Sequence, residues 1–79
     1  MQFEWDSSKD AINVQKHGIS FREAIEAFDD SHSFFIKDAR HSTDEVRRFL
    51  VGKMRNGRVI TVRFTLRCND TVRIIGAGE

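Results

Sequence analysis

Apolar residues at Phe21, Ala24, Ile25 and Phe28 recur at i, i+3, i+4 and i+7, the stripe of a short amphipathic helix. Ser20 and Glu23 stand at capping-box spacing just ahead of it, so Ser20 opens this helix. Upstream, Asp6 is placed to accept from the free amides of an earlier helix beginning near Ser7. Gly18 takes the left-handed turn that stops that helix, with Lys16 near its carbonyl end and Ile19 as the apolar residue just beyond. The pattern predicts a helix, a tight corner and a second helix. After Asp30 the helical period disappears; a short strand over Phe34 to Lys37 and a polar loop from Asp38 to Asp44 follow.

From Phe49 onward, apolar and polar positions alternate. Asn56-Gly57 accepts the two positive φ angles of a type I′ turn and marks a hairpin. A two-residue loop there pairs Lys53 with Ile60, Val51 with Val62 and Phe49 with Phe64. Paired residues share a face, so Phe49, Val51, Ile60, Val62, Phe64 and Leu66 are expected under the helices. Arg48, Leu50, Gly52 and Met54 then share the opposite face with Arg63, Thr65 and Arg67. A three-residue turn at Cys68-Asn69-Asp70 adds Val72 and Ile74 to the core and sets Arg73 beside Thr65. A turn one residue shorter or longer drives Arg73 inward, where an unpaired guanidinium is costly. Arg48, Arg63, Arg67 and Arg73 are therefore expected on one face. The fold class is α+β: two short N-terminal helices on one face of a mainly antiparallel sheet.

Charge sharpens this picture. Residues 1–45 carry 5 Lys+Arg against 10 Asp+Glu, and residues 46–79 carry 8 against 2, although the whole chain is only +1. The split fits an anionic partner for the strand half, or a solvated surface balanced by the chain's own acidic half. Gathered arginines repel one another, and a phosphate backbone or an acidic partner neutralises them. With 79 residues the chain is one domain, residues 1–79, and 7 Phe with 1 Trp supply bulky core material. No apolar run approaches the roughly 20 residues of a membrane span, and no signal-peptide pattern opens the chain. A lone cysteine, Cys68, agrees with a reducing compartment, and the chain is read as cytoplasmic. Three scattered histidines and Cys68 offer no metal-ligand spacing, so neither metal nor cofactor is expected.

The string Trp5-Asp6-x-x-Lys9, then Asn13-x-x-Lys16-His17-Gly18-Ile19-Ser20-Phe21-x-x-Ala24, holds more than caps and stripes require. It resembles the opening of the BrnT family, toxins of bacterial type II toxin–antitoxin systems. Phe28-Asp29-Asp30, Asp38, Arg40-His41-Ser42, Glu45, Arg47, Gly57-Arg58, Phe64-Thr65, Arg67 and Arg73-Ile74-Ile75 follow the family pattern in order. The resemblance implies a RelE-like two-layer sandwich and an endoribonuclease that cuts RNA without metal, through attack by the ribose 2′-hydroxyl. It also implies neutralisation by a BrnA-like ribbon-helix-helix antitoxin, through which DNA is engaged indirectly when the pair represses its promoter. Such a reaction needs a base, cations at the phosphate and an acid. Arg67 and Arg73 are the first candidates for the phosphate. Arg47 is a third, although the two-residue hairpin turns it toward the core. Arg48 and Arg63 are candidates for positioning RNA, and His41 with Glu45 for proton transfer.

Relatives commonly continue past Arg73-Ile74-Ile75 with Ser-Ala-Arg and a basic tail, whereas Gly76-Ala77-Gly78-Glu79 stands here, so the family's tail is expected to be missing. That departure keeps open a catalytically inactive module that binds RNA or antitoxin within a repressing complex, and a structural co-repressor without RNA affinity. Gly76-Ala77-Gly78 has no helix after it and is not read as a phosphate loop. Lys16 and His17 are read as capping the last carbonyls of the first helix. A loop histidine such as His41, just before a strand, is more often a surface or turn-stabilising residue, and His32 is assigned no role.

Overall fold

The computed structural model describes residues 1–38, 47–67 and 70–79, with side chains for all of these but 37 and 38. The chain runs β1 (Gln2–Trp5), α1 (Ser7–His17), α2 (Phe21–Ala24) continuing as a 3₁₀ turn over Ile25–Asp29, then β2 (Phe34–Asp38), β3 (Arg47–Lys53), β4 (Val59–Arg67) and β5 (Thr71–Gly78). The strands form one mixed sheet in the order β1-β5-β4-β3-β2, with β1 parallel to β5 and the other neighbours antiparallel. The expected α+β layout holds: two helices pack on a five-stranded sheet.

Local chemistry explains the helices. Asp6 Oδ1 accepts from the amides of Ser8 (2.8 Å) and Lys9 (3.3 Å), and Gly18, at φ +70°, donates its N–H to the Val14 carbonyl. Ser20 and Glu23 close a full capping box. Asp10 accepts from the Phe21 amide at 2.8 Å, fixing the corner between the two helices. Asn13 is buried and serves both sides of a junction: its amide donates to the Ile19 carbonyl (2.8 Å) and its oxygen accepts from the Ala77 amide (3.1 Å). It therefore supplies β5 with the hydrogen bond that four-residue β1 is too short to provide.

Two findings depart from the sequence expectations. First, β1 was not foreseen; Phe3 and Trp5 pack on the core from it, Trp5 meeting Phe21 edge-on at 6.3 Å. Second, the β3–β4 loop is one residue longer than a type I′ turn, leaving β3 at Met54 instead of Arg55. The Met54 amide donates to the Arg58 carbonyl at 2.8 Å, enclosing Arg55, Asn56 and Gly57, and Gly57 takes φ +91°. Gly57 serves as the left-handed third residue of a longer loop. A shift of one residue turns every β3 side chain over. Leu50 and Met54 enter the core, whereas Phe49 and Val51, expected there, lie on the other face opposite Arg63 and Thr61. Gly52 also faces inward, and a Cβ there would lie 2.6 Å from the Ala27 carbonyl oxygen, so the 3₁₀ turn rests directly on β3. The turn at 68–70 keeps the expected length: Arg67 pairs with Thr71 and Thr65 with Arg73.

Carboxylates tie these elements to backbone amides, and this sets an acid dependence. Asp6 is held below its ordinary pKa by the amides of Lys9 and Ser8, Glu23 by the Ser20 amide and hydroxyl, and Asp30 by the amides of His32 and Lys53. A carboxyl more acidic when folded than unfolded contributes stability above its unfolded value, and that contribution is lost as pH falls through the folded value. The melting temperature is expected to hold from neutrality to about pH 5 and to drop below about pH 4. Circular dichroism melts across that range check it, and a level profile down to about pH 3 would count against these caps.

Candidate nucleic-acid interface

Strand register builds the site. On the sheet face opposite the buried core, Arg47, Thr65, Arg73 and Glu4 form one row across β3, β4, β5 and β1. Phe49, Arg63 and Gly76 form the next row, and Arg67 lies toward the far end of β4, opposite Thr71. The expected set of four arginines is thus corrected by one member. The hairpin register brings Arg47 onto this face and removes Arg48, which pairs with Phe64 on the core side. There the Arg48 stem borders an apolar pocket of about 260 Å³ beside Phe28, Phe35 and Phe64, and its buried Nε has no hydrogen-bond partner among the described residues.

A bulge shapes the centre of this face. Arg63 pairs with Gly76 and Phe64 with Ile74, so Ile75 is the extra residue in β5. Gly76 lets the Arg63 side chain lie across it: a Cβ at that position would come within 3.1 Å of the guanidinium. Arg63 is exposed and makes no hydrogen bond or ion pair among the described residues. Arg73 is held differently, by Glu4 at 2.7 Å, with its side chain about one-third exposed. Thr65, between Arg47 and Arg73, is 2 % exposed and its hydroxyl has no partner among the described residues.

α1 borders the same face. A cleft of about 350 Å³ runs between Lys9, Lys16 and His17 on the helix and Arg47, Arg63 and Gly76 on the sheet. A second, of about 220 Å³, adjoins it and shares His17 and Arg63, with Phe49 and Gly78 in its wall. Lys9, Asn13 and Lys16 recur at helical spacing, i, i+4 and i+7, and this polar stripe was the available signal for the cleft wall. His17 and Lys16 lie in the last turn of α1 as expected, where the Gly18 amide donates to the Val14 carbonyl and the His17 ring makes no hydrogen bond among the described residues. His41 and Glu45 lie outside the described residues. Among the described residues no group of three or more His, Cys, Asp or Glu could hold a metal ion, and no helix is long and apolar enough to cross a membrane.

Fold and face together define a small α+β protein whose sheet surface opposite the core, walled on one side by a helix, carries clustered guanidinium groups. The chain belongs to the BrnT family: the family model described as "Ribonuclease toxin, BrnT, of type II toxin-antitoxin system" matches residues 5–79. Among solved structures, the 1.1 Å crystal structure of the Brucella abortus ribonuclease toxin BrnT is similar in fold, with a TM-score of 0.66 at 20% identity, covering 99% of this chain and 94% of that one. No curated protein matches the chain.

Proposed function

We propose that this chain is a metal-independent endoribonuclease that holds RNA on its open sheet face, and that a BrnA-like ribbon-helix-helix antitoxin neutralises it. The observation that carries this reading is the gathering of Arg47, Arg63, Arg67 and Arg73 on one face, beside the lysines of α1. Guanidinium groups stay charged and grip two phosphate oxygens at once, the property needed where negative charge builds on a pentacoordinate phosphorus. Arg63, exposed over Gly76, is the cation best disposed to meet a phosphate entering the cleft. Arg73, oriented by Glu4, is disposed to position the strand. DNA is engaged only through the antitoxin.

The reaction needs a ribose 2′-hydroxyl at the cut and no divalent ion. Purified protein is expected to cut a single-stranded RNA in the presence of EDTA, leaving a 2′,3′-cyclic phosphate and a 5′-hydroxyl. The same oligonucleotide with 2′-deoxyribose at the cut site stays whole. Cleavage of the deoxy-substituted site, or loss of activity in EDTA, contradicts the mechanism. A second reading, an RNA- or antitoxin-binding module without turnover, draws on the Glu4–Arg73 ion pair, which occupies one of the arginines expected at the phosphate. Under that reading RNA binds with a steep salt dependence and is recovered intact.

A further inference from the structure

The Gly76-Ala77-Gly78 ending gains a purpose from what rests on it. Both glycines lie on the open face, Gly76 opposite Arg63 and Gly78 opposite Thr61. Arg63 lies across the first. Over the second lies the imidazole of His17: a Cβ on Gly78 would meet its Nδ1 at 3.5 Å and its Cε1 at 3.6 Å. The bare backbone of β5 is a floor carrying an imidazole and a guanidinium over positions two residues apart, a separation of about 7 Å along an extended strand. That spacing admits one phosphodiester between the two groups. Among the described residues the His17 ring makes no hydrogen bond, so neither nitrogen is committed to a structural partner. The charged groups around it are Lys16 on its own helix, Arg63 on β4, Arg47 on β3, and Glu79 after β5, which Arg58 holds at 2.6 Å.

We propose that His17 is the general base of the cleavage, working opposite Arg63 across the Gly76–Gly78 floor; this rests on the ribonuclease reading above. The neutral imidazole takes the proton of the ribose 2′-hydroxyl as O2′ bonds to phosphorus. The P–O5′ bond breaks with its electron pair on O5′, which takes a proton from water, and Arg63 balances the charge on the non-bridging oxygens. The products are a 2′,3′-cyclic phosphate and a 5′-hydroxyl, and the imidazolium returns its proton to solvent. Removing a positioned base costs about 100-fold or more.

The test uses the full chain, a fluorescent single-stranded RNA and the His17→Gln variant. This variant leaves the Asp6 and Gly18 caps in place, and circular dichroism checks its fold. His17→Gln is expected to lower kcat about 100-fold with little change in KM and to remove the acid limb of the pH–rate profile. On an RNA whose bridging 5′-oxygen is replaced by sulfur, a leaving group that needs no acid, the defect is expected to persist. Gly78→Val, which leaves the imidazole in the chain but fills its resting place, is expected to give a loss in the same direction. An unchanged kcat and pH profile in His17→Gln overturns the proposal, as does full recovery on the sulfur substrate, which would make His17 the leaving-group acid. Wild-type protein that leaves all RNA intact removes the ribonuclease reading itself, and the base assignment with it.

Discussion

Replacing Arg63 by alanine is expected to abolish most RNA cleavage while leaving the melting temperature close to that of the parent protein. Arg63 is exposed, lies over Gly76 and makes no internal ion pair among the described residues, so the fold loses little when the side chain is cut back. A phosphate in the cleft, by contrast, loses a guanidinium that lines it and that no carboxylate occupies among the described residues. Loss of one preorganised donor to a developing oxyanion costs about 10²–10³ in kcat, and a defect of that order is expected here. Lysine at the same position should recover only part of the rate, because an ammonium group cannot present two parallel donors. Steady-state cleavage of a labelled RNA, with salt titrations of binding to an uncleavable analogue, separates the two roles. A fall in affinity and salt slope with kcat preserved would assign Arg63 to RNA positioning alone.

The second large effect concerns the fold. Phe64 is 1 % exposed and sits beneath the middle of the sheet, meeting Phe28 edge-on at 5.4 Å and Phe35 at 6.0 Å. Phe64→Ala removes the ring that joins the 3₁₀ turn, β4 and β2, and should cost about 3–5 kcal/mol. Small domains of this size have little reserve, so the change consumes much of a total of about 5–15 kcal/mol. The melting temperature is expected to fall by on the order of 15–30 °C. Denaturant titration and thermal melts measure it directly. A loss below about 1 kcal/mol would mean that the site collapses around the missing ring and that the aromatic cluster matters little.

Much of this architecture was legible in the residues. The caps at Asp6, Gly18 and Ser20 and the stripe from Phe21 to Phe28 announce themselves through local chemistry, and local chemistry decides them. The β3 register was read one residue off because Asn56-Gly57 serves two turn types that differ only in whether Arg55 belongs to the loop. Gly52 carried a clue: a glycine between Val51 and Lys53 gains meaning once the 3₁₀ turn rests on it. That single slip exchanged Arg47 for Arg48 on the basic face. β1 escaped notice because four residues give too few alternations to count, and its partner lies at the other end of the chain. The Glu4–Arg73 ion pair was invisible for the same reason, since two residues 69 positions apart meet only through parallel pairing. The cleft wall was written in Lys9, Asn13 and Lys16, but a polar helical stripe reads as solvated surface until a second surface is known to face it.

The parallel pairing of β1 with β5 also bears on when the molecule acquires its working surface. β5 stands between β1 and β4, so the interior of the sheet closes only when a strand made long after β1 arrives. Until then the N-terminal strand has no neighbour, the glycine floor does not exist, and the arginines of β3 and β4 have nothing to complete their face. A nascent chain therefore completes its arginine face only after β5 has been made, however early its helices form.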